Sequence, residues 1–148
     1  MAQEPKASDG RAVRVIEVKE SVFAANEQRA DRLRDDLRER GTFLLNVMSS
    51  PGSGKTTLLT RTAERLRDRL SMGVMEADID SDVDAVTMAD AGVVAVQLRT
   101  GGMCHLDAAM TSQGLTELDA AAAEQGAAPI DLAVLENVGN LVCPAEFD

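Results

Sequence analysis

The stretch Ser49-Ser50-Pro51-Gly52-Ser53-Gly54-Lys55-Thr56 follows directly on the apolar run Thr42 to Met48. Leu58, Leu59, Thr62, Ala63, Leu66 and Leu70 come after it at helical spacing. Strand, glycine loop and helix, in that order, form the context in which a phosphate-binding P-loop is built. A nucleotide's phosphates must approach several backbone N–H groups at once, and Gly52 and Gly54 leave room where a Cβ would obstruct. Lys55 brings a point charge to the β and γ phosphates, and the Thr56 hydroxyl is a ligand for Mg²⁺ at a helix N-terminus that itself favours anions. The phosphate-binding candidates are therefore Gly52, Ser53, Gly54, Lys55, Thr56 and Thr57. The pattern GxxxxGK[ST] asks for glycine where this chain has Ser49, so the match rests on context as well as on the motif.

The chain has 148 residues, about one domain, with 25 acidic against 15 basic side chains and a net charge of −10. That charge repels nucleic acid and anionic membrane surfaces, and Phe23, Phe43 and Phe147, the whole aromatic complement, make no stacking platform for bases. No apolar stretch reaches the roughly 20 residues of a membrane span, and Met1 to Gly10 is polar, so the reading is a cytoplasmic protein. Two cysteines, Cys104 and Cys143, make no disulfide framework and read as free thiols or ligands.

Residues 1–12 read as a polar disordered tail. In a 13–41 extension, Val13, Val15, Ile16 and Val18 form a short extended piece. Phe23, Asn26, Ala30, Leu33 and Leu37 then mark one face of a charged helix that Gly41 ends. The sheet, a partner or a second copy are all open as its packing surface. From Thr42 the pattern alternates as a mostly parallel α/β sheet flanked by helices, with strands at 43–48, 73–77, 93–98 and 130–135. Helices are expected at 55–70, 82–91 and 107–124. Ser81 with Asp84 resembles a capping box for the second, and Gly92 stops it. Gly114 lies inside the third at a cost of about 1 kcal/mol relative to alanine.

Ligands of open α/β sheets gather beyond the carboxyl ends of the strands. Four exits carry polar residues: the P-loop; Glu76, Asp78, Asp80 and Asp82; Arg99 to Asp107; and Glu136 to Pro144. Mg²⁺ takes oxygen ligands and usually one or two carboxylates, for which Asp78 and Glu136 are the candidates beside Thr56. Glu136 and Gly139 read ExxG, a carboxylate for the metal and a flexible amide for the γ phosphate. Cys104 and His105 on one exit and Cys143 on the next are soft donors suited to Ni²⁺ or Zn²⁺, with incidental thiols as the alternative. Three ligands leave a tetrahedral ion one short, to be completed by water or a second subunit.

Taken in order, SSPGSGKTTLL, the EAD of Glu76 to Asp78 with Asp84-Ala85, TGGMCHLDAAM and LENVGNLVCPAEFD resemble the hydrogenase nickel-insertion GTPases, the HypB family. The resemblance implies a three-layer P-loop G domain of the SIMIBI class that binds GTP and Mg²⁺ and dimerises with nucleotide or metal. It also implies nickel delivery to the hydrogenase large subunit with a HypA-type chaperone. Carried over by position, it implies Lys55, Asp78 and Glu136 as catalytic, Gly139 as part of the ExxG element, and Cys104, His105 and Cys143 as the Ni²⁺ or Zn²⁺ site. Two departures stand out. Residues 1–40 lack the cysteines and histidines that many members use to store nickel. The family's guanine-reading NKxD is also absent, since the lysines are Lys6, Lys19 and Lys55 alone. Residues 42–148 are thus expected to be the N-terminal part of a truncated G domain, with a sheet edge and part of its apolar face uncovered. Two other readings are a non-catalytic metal- or partner-binding module and a urease-accessory-type GTPase, whose metal motif is arranged differently. A small-molecule phosphotransferase is disfavoured because Arg99 is the one arginine or lysine after the P-loop helix.

Overall fold

In a computed structural model the described residues are 14–17, 26–50, 52–77, 82–99 and 106–137. They form β1 (Arg14–Glu17), α1 (Asn26–Arg40), β2 (Phe43–Val47), α2 (Lys55–Leu66), β3 (Met72–Glu76), α3 (Asp82–Asp90), β4 (Val94–Arg99), α4 (Ala108–Glu124) and β5 (Leu132–Glu136). The strands make one sheet in the order β1-β4-β3-β5-β2, and every pairing is parallel. Short apolar runs with no polar alternation, such as Val93 to Val96 and Leu132 to Leu135, require burial on both faces, and helices supply it.

On one face Leu37 of α1 and Met110, Leu115, Leu118, Ala121 and Ala122 of α4 pack over Met75, Val96, Leu98 and Leu135. On the other, Leu59 and Ala63 of α2 and Met88 of α3 pack over Met72, Val74, Ala95 and Val134. Helix α1 is thus part of the first layer: Leu33 and Leu37 lie against its core and Arg40 bonds Asp119 of α4 at 2.7 Å. The extended piece at its N-terminal side is β1, paired with β4 from Arg14↔Val96 to Glu17↔Arg99. Arg14 also reaches α4, with Glu117 at 3.1 Å and Glu124 at 2.5 Å. The hydrogen bonds to Glu124 and then Glu117 raise the pKa of the guanidinium.

Gly114 explains why the glycine inside α4 is retained. A Cβ there would lie 2.9 Å from both Leu98 Cδ1 and Met75 Sδ, so its absence lets α4 approach the sheet closely. Helix α2 ends at Leu66 rather than 70, because Arg69 N donates to Leu66 O at 2.7 Å and the tail tightens into a turn that brings Leu70 onto the core. Gly92, with φ 83°, stops α3 as expected. Among the described residues, large apolar side chains are exposed near the β2 edge: Phe43 is 65 % exposed, Leu45 41 %, and Leu58 of α2 61 %. Phe23, Ser81 and the tail 1–12 lie outside the described residues.

Candidate functional site

The loop from β2 to α2 lies at the carboxyl end of the sheet. Gly52 and Gly54 have φ of 75° and 91°, a left-handed backbone that a side chain would strain. Gly54 is the N-cap of α2 and supplies no side-chain cap, so the first-turn amides of the helix are not consumed by a capping oxygen. Within the loop, Ser53 N donates to Ser50 O at 3.3 Å, and the Ser49 and Ser53 hydroxyls are 2.5 Å apart. That contact gives Ser49 a use that a glycine could not serve. Gly52, Ser53, Gly54 and Thr57 are exposed, whereas Lys55 and Thr56 are half-buried, as a surface-facing anion cradle with a recessed cation requires.

Lys55 folds back under the loop. Its Nζ lies 3.4 Å from the Ser49 carbonyl and 3.7 Å from Glu136 Oε1. The second distance is an ion pair beyond hydrogen-bond length, a tether loose enough for the ammonium to turn toward a phosphate. Glu136, the last residue of β5, is 2 % exposed, and its Oε2 is buried with no hydrogen-bond partner among the described residues. Its backbone is fixed on both sides: Val47 pairs with it from β2, and its carbonyl accepts from Ala77 N at 3.0 Å. Asn137 N donates to Val47 O at 3.0 Å, and its side-chain amide reaches Asn46 Oδ1 at 3.4 Å. The ends of β2, β3 and β5 are thereby gathered beneath the P-loop.

Of two further residues of this floor, the sequence named Glu76 among the acids at the second strand exit without giving it a role, and did not name Gln97. Glu76, at the end of β3, stands in register with Glu136 on one side and with Gln97 of β4 on the other. All three are buried, at 1 %, 2 % and 3 % exposure. The available signal was a polar residue at or next to the end of each of three otherwise apolar strands; their alignment is a matter of strand order and register. Asp78, Gly139, Cys104, His105 and Cys143 lie outside the described residues, and among the described residues no group of three or more His, Cys, Asp or Glu is placed to hold a metal ion. Next to that stretch, Asp107 caps α4 through Met110 N at 2.8 Å, and Ala108 N donates to Asn26 Oδ1 of α1 at 2.9 Å.

Chemically, loop amides and one recessed ammonium are groups that can hold a polyphosphate. A buried carboxylate oxygen without a partner fits a hard divalent cation shared with that polyphosphate. Among the described residues no helix is long and apolar enough to cross a membrane.

Comparison with known proteins agrees with this geometry. The family model of the CobW/HypB/UreG nucleotide-binding domain matches residues 43–147. The hydrogenase maturation factor HypB of Rhizobium leguminosarum bv. viciae is 44 % identical over 135 residues, which cover 91 % of this chain and 43 % of that protein. The crystal structure of HypB from Archaeoglobus fulgidus superposes with a TM-score of 0.70 at 39 % identity, covering 85 % of this chain and 58 % of that one. HypB from Helicobacter pylori, solved in complex with nickel, gives 0.69 at 38 % identity, covering 81 % and 54 %. The chain thus spans less than half the length of the rhizobial relative and little more than half of each solved chain. With a P-loop at the carboxyl ends of a parallel sheet and more than two thirds of its length inside the family match, the chain belongs to the CobW/HypB/UreG family of nucleotide-binding domains.

Proposed function

We propose that this chain is the phosphate-binding part of a HypB-type GTPase, which binds GTP with Mg²⁺ and couples its hydrolysis to delivery of nickel during [NiFe]-hydrogenase maturation. The observation that carries the reading is Lys55 recessed beneath the glycine loop, 3.7 Å from a buried Glu136. In this reading Gly52, Ser53, Gly54 and Thr57 contribute loop and first-turn contacts to the phosphates, and Lys55 turns from Glu136 to the β and γ oxygens. Thr56, Asp78 and Glu136 would hold Mg²⁺, and the Gly139 amide would serve the γ phosphate. The partnerless Oε2 of Glu136 supports the fit of a hard cation at that end of the set. Mg²⁺, when bound, supplies positive charge where phosphoryl transfer accumulates negative charge. Cys104, His105 and Cys143 receive the cargo ion, for which thiolate and imidazole donors suit Ni²⁺ or Zn²⁺. The full protein acts in the cytoplasm as a nucleotide- or metal-dependent homodimer, with a HypA-type chaperone and the hydrogenase large subunit as partners.

The test uses the full-length protein. Lys55→Ala is expected to lower GTP turnover about a hundredfold or more, the scale seen when a charge-stabilising donor is removed from a transition state. Turnover equal to the parent's would overturn the assignment. For the cargo site, a Cys104→Ala/Cys143→Ala variant is expected to lose Ni²⁺ or Zn²⁺ in equilibrium dialysis, and equal binding by both proteins would defeat that part.

A further inference from the structure

Across the α2/α3 face, one line of side chains runs perpendicular to the strands at the edge of the P-loop: Val47, Glu136, Glu76 and Gln97, each in register with the next. One register earlier the same line reads Leu45, Val134, Val74 and Ala95, wholly apolar. The face therefore changes from core to polar within a single pleat, directly below the phosphate loop. Register partners on adjacent parallel strands are about 4.8 Å apart, so the Glu76 and Glu136 side chains leave the sheet side by side on the same face. Both are at least 98 % buried. Two adjacent buried carboxylates concentrate negative charge beneath the loop, within reach of one shared cation. The cation beside Glu136 is Lys55, 3.7 Å away, which the proposed reaction turns toward phosphate. When Lys55 turns, Glu136 loses that positive neighbour, and a divalent cation can replace it at the partnerless Oε2.

We propose that Glu76 joins Glu136 in holding the divalent cation that accompanies the nucleotide, making the pair, rather than Glu136 alone, the carboxylate floor of the site. The inference rests on the nucleotide-binding reading above and gives a role to Glu76, to which that reading assigns none. A pair of this kind ties the cation to two strands at once, so the floor is set by sheet register and not by loop conformation.

The experiment adds Mn²⁺, as a paramagnetic stand-in for Mg²⁺, to the full chain with GDP and follows binding by electron paramagnetic resonance. GDP affinity is measured in parallel in EDTA. Glu76→Gln keeps the shape and removes the charge, and is expected to raise the Mn²⁺ half-saturation about tenfold or more. GDP affinity without metal should stay within about twofold of the parent. An unchanged half-saturation, or an equal loss of GDP affinity in EDTA, overturns the proposal. If the parent itself holds no Mn²⁺ with GDP, the nucleotide reading falls as well; if the parent binds and the variant matches it, this inference alone falls. Should Glu76→Gln not fold, Glu76→Asp serves, since it keeps the charge and withdraws it by one methylene. A smaller weakening of Mn²⁺ is then expected, and parent-like binding overturns the role.

Discussion

The two faces of the sheet are built to different ends. Beneath α1 and α4, one apolar cluster from Leu37 to Leu135 includes side chains that are fully buried at Met75, Val96, Leu98, Met110 and Leu118. Its rim is tied by Arg14 to Glu117 and Glu124 and by Arg40 to Asp119. Beneath α2 and α3 the described cluster is smaller, gives way to Glu136, Glu76 and Gln97 at the carboxyl end, and thins out toward the exposed Phe43 and Leu45. One face buries nearly all it can. The other gives up apolar burial for charged groups that phosphate and cation chemistry need, so the first face should account for most of the stability of this part of the chain.

Substitutions can break or sharpen that contrast. Leu118 is fully buried on α4, and Leu118→Ala is expected to destabilise by about 3 kcal/mol through lost transfer energy and an unfilled cavity. Urea unfolding checks it, and a loss below about 1 kcal/mol would show that the α1/α4 face is not the main source of stability. Gly114→Ala opposes two effects: about 1 kcal/mol gained in helix propensity, and overpacking of roughly 1–3 kcal/mol against Leu98 Cδ1 and Met75 Sδ, which a Cβ would meet at 2.9 Å. Both neighbours are fully buried and have little room to yield, so a net loss of about 1 kcal/mol is expected in the same assay, and a gain would show that α4 can ride outward. Phe43→Ser removes a ring that is 65 % exposed, and is expected to change stability by less than about 0.5 kcal/mol while lowering self-association in analytical ultracentrifugation. A large stability loss there would mean that the β2 edge carries more of the fold than its exposure indicates.

Much of the fold was legible locally. The strands at β2 to β5 came from apolar runs, α2 from its periodicity after the glycine loop, and the stop of α3 from Gly92, because each signal depends on a handful of neighbouring residues. The place of the N-terminal piece was not legible. Val15 and Ile16 read as extended, but that they pair with β4, on the far side of the sheet from the P-loop strand, is a property of strand order. Gly114 was read as a local weakness, and the structure gives it a packing reason that no window of sequence contains.

At the site, the sequence by itself determined the phosphate loop, because two glycines, a lysine and a helix start lie within a few consecutive positions whose chemistry is local. It also singled out Glu136, a carboxylate at the end of an apolar strand. Only the tertiary structure decided that Lys55 rests 3.7 Å from Glu136, and that Glu76 and Gln97 complete a buried polar row beneath the loop. Residues 55, 76, 97 and 136 are distant along the chain. Parallel pairing, which requires a crossover between every two strands, is what brings 76, 97 and 136 into one line beneath Lys55.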